Sequence, residues 1–269
     1  EEMNGTISLL HKGGDSDDRP RDWRPVVLLN CTNQLVMHIL NARLREIVER
    51  AGILEPGQAG GRQGRSTDIN LAKLEWVTRE ALSQGKIMYR IDVDFTNAFN
   101  SILRSVVRAA VRKRLPGLEP LVETVCGAET RHWFYDDAGG NAIRSTRGVD
   151  QGCPLSPALF AVGIAEPLEQ LAAAVRLRDP HARVVSYLDD VYIVVDPEHA
   201  AEAFDTAGRL FAPLGLALNR SKCTAWCALG PEHVPEALAD LRVGTCKCLG
   251  SAIHFVAAAA DYAADADRV

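Results

Sequence analysis

The sequence predicts an α+β fold in which a mainly antiparallel sheet is backed by helices. Residues 86–95 alternate apolar and polar side chains, as a half-buried strand does. Two apolar runs, VVSYL and VYIVV, flank the pair Asp189-Asp190 and predict two strands around a tight turn. Helical segments are interleaved with the strands without strict alternation, and this order favours an antiparallel sheet over a doubly wound parallel one.

The N-terminal elements follow from apolar spacing and turn-forming residues. Residues 6–12 predict a short strand, and the polar stretch GGDSDDRPRD after it predicts a loop. Apolar residues recur at helical spacing from 34 to 49, which predicts a helix. The glycine-rich segment EPGQAGGRQGRSTD predicts a loop before a helix over 68–83, capped by Thr67 or Asp68.

The later elements are predicted by the same criteria. In chain order they are a strand at 86–95, a helix at 101–114, a strand or hairpin arm at 140–149, a helix at 154–175, two strands within 182–196, a helix at 198–212, and strands near 216–226 and 246–255. On the helix at 101–114, Arg104, Arg108 and Arg112 form one basic stripe. A solvated helix face is the simplest interpretation of this stripe, and phosphate contact is the alternative.

Composition indicates a folded globular chain. Of 269 residues, 47% are hydrophobic and 24% are charged, which excludes wholesale disorder. The net charge of −5 argues mildly against nucleic-acid binding, although acids concentrated at a metal site would reduce that weight. No apolar run reaches the roughly 18 residues of a membrane span. Seven cysteines without a signal-like start predict reduced thiols and an intracellular protein.

Three aspartates are candidates for a metal site. Asp94 ends a predicted strand, and Asp189 and Asp190 occupy the predicted hairpin turn, so adjacent antiparallel strands could bring them together. Mg²⁺ prefers oxygen ligands and retains waters and substrate phosphates, so a two-cation site needs only two or three carboxylates. Taken alone, an Asp pair at a hairpin turn is usually turn chemistry. Asp92 lies on the same strand face and competes with Asp94 for the role.

Two strings contain the candidate aspartates: DFTNAFNSI starts at Asp94, and YLDD occupies 187–190. They resemble, in family order and at family spacing, the first catalytic motif and the active-site hairpin of reverse transcriptases. RGVDQGCPLSPALF closely resembles the second palm motif of non-LTR (LINE-like) retrotransposon enzymes. GLALNRSKC and KCLGSAI resemble the two following motifs, the second of them the primer-grip hairpin. LLHKGGD, DWRPVVLLN and QAGGRQGRSTD resemble fingers segments, so the resemblance extends from residue 7 to about 254.

The resemblance implies the fingers and palm of a right-hand polymerase, with no thumb expected in the chain. The implied fingers are 1–85, with part interleaved at 117–147, and the implied palm is 86–116 and 148–255, followed by an Ala/Asp-rich tail at 256–269. The implied activity is RNA-directed DNA synthesis on an RNA template from a DNA primer and dNTPs, with two Mg²⁺ ions or Mn²⁺ as substitute. We expect a fragment of a retrotransposon polyprotein, located in the nucleus and not at a membrane.

Carried over residue by residue, the resemblance implies that Asp94, Asp189 and Asp190 are the catalytic, metal-binding carboxylates, with the Phe95 carbonyl as a further ligand. Phe99 would be a steric gate against ribose. The other implied roles are β/γ-phosphate binding by Lys12, Arg24 and the weaker candidate Arg62, a nucleotide and template floor at Gln151 and Gly152, proton donation to pyrophosphate by Lys222, and a primer grip at Leu249 and Gly250. Without the resemblance, Phe99 is more simply interpreted as a core residue, and the charged residues as solvated or salt-bridged side chains.

Three alternatives stay open from the sequence. The chain could be a catalytically inactive reverse-transcriptase-like remnant that binds nucleic acid or serves as a scaffold. It could be an RNA-templated polymerase of another class, although glycine in place of Leu188 would be the usual sign. A structural zinc site could involve Cys223, Cys227, Cys246 and Cys248, but the C-x₃-C and C-x-C spacings fit such a site poorly.

Overall fold

The computed structural model describes residues 5–13, 22–84, 88–127, 129–136, 139–227, 229–244, 246–248 and 251–253. The chain divides into two compact units, each built from two stretches of sequence. The first unit comprises Glu1–Leu54 and Asn97–Ala165, and the second comprises Glu55–Thr96 and Glu166–Val269. Both units combine helices with a largely antiparallel sheet, so the predicted α+β class is confirmed.

The first unit contains a four-stranded sheet, whose strands are β1 (Gly5–His11), β2 (Trp23–Leu29), β4 (Thr130–Asp136) and β5 (Gly139–Ser145). Their order in the sheet is β2-β1-β4-β5. The pairs β1/β2 and β4/β5 are antiparallel, while β1 and β4 run parallel. The helices are α1 (Cys31–Arg50), α3 (Ala98–Ser101), α4 (Arg104–Arg114), α5 (Glu119–Val125) and α6 (Ser156–Gly163).

Helix α1 begins earlier than the apolar spacing predicts because Asn30 caps it. The Asn30 side chain accepts a hydrogen bond from the Asn33 N–H at 2.8 Å, which satisfies one donor of the first turn. The predicted apolar stripe is only partly buried: Leu44 is buried, but Leu35 is 62% exposed. Helix α5 and strand β4 were not predicted, because α5 is short and the buried polar residues Thr130 and His132 hide the alternation of β4.

The basic stripe on α4 makes intramolecular contacts, so its interpretation as a solvated face is wrong for Arg104. That side chain is buried and donates to the carbonyl of Gly148 at 3.0 Å and to the hydroxyl of Thr130 at 2.8 Å. Its guanidinium also reaches Gly127 and Ser145. The other two arginines of the stripe form exposed or half-exposed ion pairs, Arg108 with Glu123 and Arg112 with Glu119.

The second unit contains a four-stranded antiparallel sheet, whose strands are β3 (Tyr89–Val93), β6 (Arg183–Tyr187), β7 (Asp190–Val195) and β8 (Thr224–Cys227). Their order in the sheet is β6-β7-β3-β8. Helices α2 (Thr67–Ser83) and α8 (Ala200–Phe211) pack against this sheet. A buried cluster joins α2 to the strands through Leu74, Val77, Ala81, Met88, Val185, Tyr192 and Val194. At the start of α2, the Ser66 hydroxyl accepts from Ile69 N–H, so the cap lies just before the predicted residues.

The helix predicted over 154–175 is two helices, α6 and α7 (Ala165–Arg178), separated at Ile164. Pro167 explains the break, because in a continuous helix its ring would clash with the carbonyl of Gly163. No single helix within the described part of the chain is long and apolar enough to cross a membrane, and α6 and α7 reach that length and composition only if they are joined.

The C-terminal motif contains two short strands. Strands β9 (Cys246–Cys248) and β10 (Ser251–Ile253) pair in an antiparallel two-stranded sheet. Leu249 and Gly250, the predicted primer grip, lie outside the described residues. The cysteines that the structure describes fully are free thiols, as predicted: Cys31, Cys126, Cys153, Cys223 and Cys227.

Candidate active site

The sheet of the second unit brings the three candidate aspartates to one end. The last pair of the β3/β7 ladder joins Val93 to Val191, so Asp94 directly follows the ladder and Asp190 directly precedes it. On the other side of β7, Tyr187 pairs with Asp190, which leaves Leu188 and Asp189 as a two-residue turn. Asp94 therefore lies beside the hairpin that carries the aspartate pair.

Asp190 is in an electrostatically unfavourable position for a carboxylate. The residue reaches solvent, but surrounding protein atoms partly desolvate its carboxyl group. This burial is the largest cause that raises the pKa of Asp190, followed by repulsion from Asp189, Asp94 and Asp92, and the resulting pKa is about 6. The end of the sheet thus concentrates negative charge, which a bound cation would neutralise.

The competitor Asp92 is held by an ion pair. Its two carboxylate oxygens accept from Arg90 Nε and Nη2, each at 2.7 Å, and one of them also accepts from the Thr224 hydroxyl at 3.1 Å. Arg90 is buried, so this pairing engages both carboxylate oxygens of the partly buried Asp92 in an ion pair within the sheet. The geometry favours Asp94 over Asp92 as the metal-binding carboxylate.

The backbone on both sides of Asp94 is anchored to the segment before β8. The Asp94 carbonyl accepts from Asn219 N–H at 2.8 Å, and the Asp94 N–H donates to Cys223 Sγ at 3.4 Å. Thr96 N–H donates to the Ala217 carbonyl at 2.9 Å. Phe95 is buried, with its ring 4.9 Å from that of Phe211. These contacts hold Asp94 on a rigid element.

The donor set suits a hard divalent cation, because it consists of carboxylate oxygens. Burial, and after it repulsion from the neighbouring carboxylates, raises the pKa of Asp190. Within the part of the chain that the structure describes, no group of three or more His, Cys, Asp or Glu side chains is arranged to hold a metal ion. This finding includes Asp94, Asp189 and Asp190, so the sheet brings the three aspartates to one end without arranging their carboxylates as a three-ligand site. Cys223 and Cys227 are buried, and burial raises the pKa of both thiols, as in structural core cysteines. The other two cysteines of the zinc alternative are Cys246 and Cys248, whose side chains lie outside the described part of the structure.

In the first unit, the predicted nucleotide-binding residues lie near β1, β2 and the turn before α6. Lys12 Nζ donates to the Asn97 side chain at 3.3 Å, and Arg24 is exposed on β2. The carbonyl of Gln151 accepts from Val27 N–H at 2.6 Å. Gly152 has φ of 108°, and a Cβ there would lie 2.3 Å from the Val27 carbonyl oxygen, so this close approach requires glycine.

Phe99 is half-buried, and one face of its ring is packed. Its ring stacks on the fully buried Phe160 of α6, at 4.6 Å between centroids and 8° between planes. The Phe99 carbonyl accepts from Val149 N–H at 2.8 Å, and a Cβ on Gly148 would lie 2.6 Å from that oxygen. The motif at 147–160 therefore holds the predicted gate in place.

Two further predicted residues lie in the second unit. Arg62 Nη1 donates to the carbonyl of Gln58 at 3.2 Å, which places Arg62 on the loop before α2. Lys222 is exposed in a turn, directly before Cys223, and its N–H donates to the Asn219 carbonyl at 2.8 Å. Their assigned roles stay predictions.

Two polar networks are not predicted by the sequence. Gln58 is buried, and its side-chain oxygen accepts from Leu188 N–H, in the turn that precedes Asp189. Gln58 is the first residue of the QAGGR string, in which the sequence predicts a role only for Arg62. The second network pairs buried His132 Nε2 with Asp150 at 3.1 Å, directly before Gln151. Nothing local relates these two residues, because they meet only through the sheet of the first unit.

An antiparallel sheet that presents paired aspartates in a hairpin beside a third aspartate is the palm arrangement of nucleic-acid polymerases. The chain belongs to the reverse transcriptase (RNA-dependent DNA polymerase) family, whose model matches residues 10–253. Members of this family use divalent metal ions and bind an RNA template.

Relatives among curated proteins come from non-LTR retrotransposons. The chain is 26% identical over 226 residues to the probable RNA-directed DNA polymerase from transposon BS of Drosophila melanogaster, covering 82% of this chain and 23% of that protein. It is 27% identical over 247 residues to the Pol polyprotein of the type-1 retrotransposable element R2 of Popillia japonica, covering 88% of this chain and 34% of that protein. The chain thus spans about a quarter to a third of these relatives.

Solved structures share the fold. Apo telomerase from Candida tropicalis superposes with a TM-score of 0.66 at 11% identity, covering 94% of this chain and 47% of that one. Telomerase from Candida albicans in complex with a fragment of telomeric RNA superposes with a TM-score of 0.64 at 13% identity, covering 94% of this chain and 46% of that one. The confirmed family and fold agree with the resemblance in the motifs.

Proposed function

We propose that this chain is the fingers and palm of a retrotransposon reverse transcriptase and adds dNTPs to the 3′-OH of a primer on an RNA template. The observation that carries the proposal is the position of Asp94 beside the Asp189-Asp190 hairpin, where burial and, after it, repulsion among the carboxylates raise the pKa of Asp190. Like charges of this kind at a rigid sheet end are typical of a site that receives a cation.

The proposed cofactor is a pair of Mg²⁺ ions, with Mn²⁺ as a substitute. Asp94 and Asp189 would hold them, with Asp190 as the third carboxylate and the Phe95 carbonyl as a further ligand. When bound, the ions activate the primer hydroxyl and stabilise the leaving oxygen. The remaining ligands would be waters and substrate phosphates, which Mg²⁺ ordinarily retains.

The chain's other residues would orient the nucleotide. Phe99, supported from beneath by Phe160, would exclude a ribose 2′-hydroxyl by steric collision. Arg24 would contact the β/γ-phosphates through its planar fork and Lys12 as a point charge, with Arg62 as a weaker candidate. Lys222 would donate a proton to the leaving pyrophosphate. Gln151 and Gly152 would line the floor, because glycine permits close approach of the backbone.

The proposed domain assignment and location follow from the resemblance. Fingers are assigned to 1–85 and 117–147, and the palm to 86–116 and 148–255, with the primer grip at Leu249 and Gly250. Because the relatives are retrotransposon proteins, we propose a nuclear location and the role of a segment in a longer polyprotein. A fluorescent fusion that stays out of the nucleus would contradict the proposed location.

The test is extension of a DNA primer on an RNA template by the 269-residue chain with Mg²⁺, compared with Asp189→Asn. Extension by the wild type that is lost in the variant supports the proposal. Extension that survives in both would contradict the assignment of Asp189. Nucleic-acid binding without extension, even with Mn²⁺, would favour the second candidate, an inactive nucleic-acid-binding remnant.

A further inference from the structure

Gln58 is a buried amide whose side chain contacts the turn of the aspartate hairpin. The residue is 1% exposed. Its Oε1 accepts hydrogen bonds from Leu188 N–H at 2.9 Å and from Gly60 N–H at 2.7 Å, and its Nε2 donates to Ser186 Oγ at 2.8 Å. The amide therefore joins the loop before α2, the end of β6 and the turn in one network.

The turn needs such support, because Leu188 adopts a left-handed conformation with φ of 57°. Two-residue hairpin loops favour glycine or asparagine at positive φ, and a larger side chain is strained there. Gln58 holds the Leu188 N–H, and the Ser186 hydroxyl donates to the Leu188 carbonyl at 3.2 Å. Both backbone polar groups of the strained residue are thus held by one linked pair of side chains.

The backbone of residues 57–60 lies directly against the hairpin. The Ser186 N–H donates to the Gly57 carbonyl at 2.9 Å, and Ala59 N–H donates to the Ser186 carbonyl at 2.8 Å. A Cβ on Gly60 would lie 2.5 Å from Leu188 N. The loop can approach the turn this closely only because residue 60 is glycine.

A buried amide needs hydrogen-bond partners in any fold, so satisfied bonds alone do not indicate a role in catalysis. A role in catalysis is indicated instead by which groups the Gln58 side chain bonds. Gln58 bonds the N–H of Leu188 directly and reaches the Leu188 carbonyl through the Ser186 hydroxyl, so its bonds hold the backbone of the residue that directly precedes Asp189 and Asp190. Asn70 offers a contrast: it is equally buried and donates to the Ser186 carbonyl at 2.8 Å, but no bond joins its side chain to Leu188 within the described network.

We propose that Gln58 is a positioning residue that fixes Leu188 and thereby aims the Asp189-Asp190 pair at the metal ions. This inference rests on the proposed polymerase function. Outer partners of metal ligands commonly contribute about 10- to 100-fold to metal affinity or activity. A side chain that only filled the core would affect stability and leave metal dependence unchanged.

The first experiment measures hydrogen exchange at the Leu188 amide in the metal-free chain. Gln58→Met keeps the side-chain volume and removes the three hydrogen bonds, so exchange at Leu188 should accelerate by at least about tenfold. Asn70→Leu is the matched control, because it removes a buried amide of the same region and should leave Leu188 exchange unchanged. Gln58→Asn, whose amide is one methylene too short to reach, gives the same test if Gln58→Met does not fold.

The second experiment measures Mn²⁺ affinity without nucleic acid and the Mg²⁺ dependence of primer extension. In the Gln58 variants we expect the metal midpoint to rise by about 10- to 100-fold, with KM for dNTP nearly unchanged. Unchanged metal affinity, or an equal change in Asn70→Leu, overturns the proposal. If the wild type does not extend primers, the proposed function fails, while exchange and Mn²⁺ affinity still decide the role of Gln58.

Discussion

Phe99 lies face to face with Phe160, with 4.6 Å between ring centroids and 8° between ring planes. Phe160 is fully buried, so the ring of Phe99 rests on a rigid part of the core while the residue itself keeps solvent contact. A side chain that is fixed on one face and partly open can act as a wall for a ligand. This arrangement suits Phe99 as a steric gate against ribose. The packed face of its ring is also what a core residue of an amphipathic helix would show.

Replacing Phe99 with valine should relax the selection against ribonucleotides. The smaller side chain removes the collision with a 2′-hydroxyl and leaves the carboxylates unchanged, so we expect ribonucleotide use relative to deoxyribonucleotide use to rise about 10- to 100-fold. Paired single-nucleotide extension assays measure this ratio. Phe204→Leu, which shortens another buried phenylalanine, should lower stability and leave the ratio unchanged. An unchanged ratio in Phe99→Val would identify Phe99 as a core residue.

The stability of the chain should depend on pH through Asp190. Burial and the neighbouring carboxylates raise its pKa in the folded state from 3.8 to about 6, so the folded chain binds this proton more tightly than the unfolded chain does. The resulting stabilisation is complete below about pH 4 and is lost as pH rises through about 6. Asp190→Asn should remove this component and raise the Tm at pH 7.5.

Magnesium should oppose the same repulsion above pH 6. Wild-type chain should gain Tm on addition of Mg²⁺ and lose that gain with EDTA, because a ligand that binds only the folded state stabilises it. The gain should be smaller in Asp190→Asn. Equal gains in both chains would show that the ion binds elsewhere.

Gly152→Ala should destabilise the first unit. The residue has φ of 108°, and the added Cβ would lie 2.3 Å from the Val27 carbonyl oxygen, so both strain and a clash with backbone oppose the substitution. Backbone strain alone costs on the order of 1–3 kcal/mol. Denaturant unfolding measures the loss. Gly117→Ala is the control, since its Cβ would meet nothing within 4 Å.

Arg104→Lys should lower the free energy of unfolding by about 1–3 kcal/mol, because lysine cannot reproduce the fork and leaves buried acceptors unsatisfied. Arg104 contacts Gly127, Thr130, Ser145 and Gly148. Arg108→Ala removes a half-exposed ion pair with Glu123 and should cost about 0–1 kcal/mol. Equal losses from the two changes would contradict the distinction between a buried network and a surface pair.

Local patterns determined the elements that carry the candidate site. The two-residue period of 86–95 and the apolar runs around Asp189-Asp190 predicted β3, β6 and β7, and the motif strings predicted the family. These signals suffice because strand periodicity and turn preferences act over a few residues. The break at Ile164 was also within reach, since Pro167 lies in the sequence.

Only the tertiary structure decided which polar side chains meet. Arg104 has the spacing of a solvated stripe, yet it is buried because β4 and β5 bring acceptors to it. The sequence predicts Asp92 and Asp94 on one strand face, but β3 ends at Val93, and the pairing of Asp92 with Arg90 and Thr224 distinguishes the two aspartates. Gln58 reaches Leu188 across 130 positions of sequence. Hydrogen bonds between distant segments have no periodic signature, because their partners become neighbours only when the sheet forms.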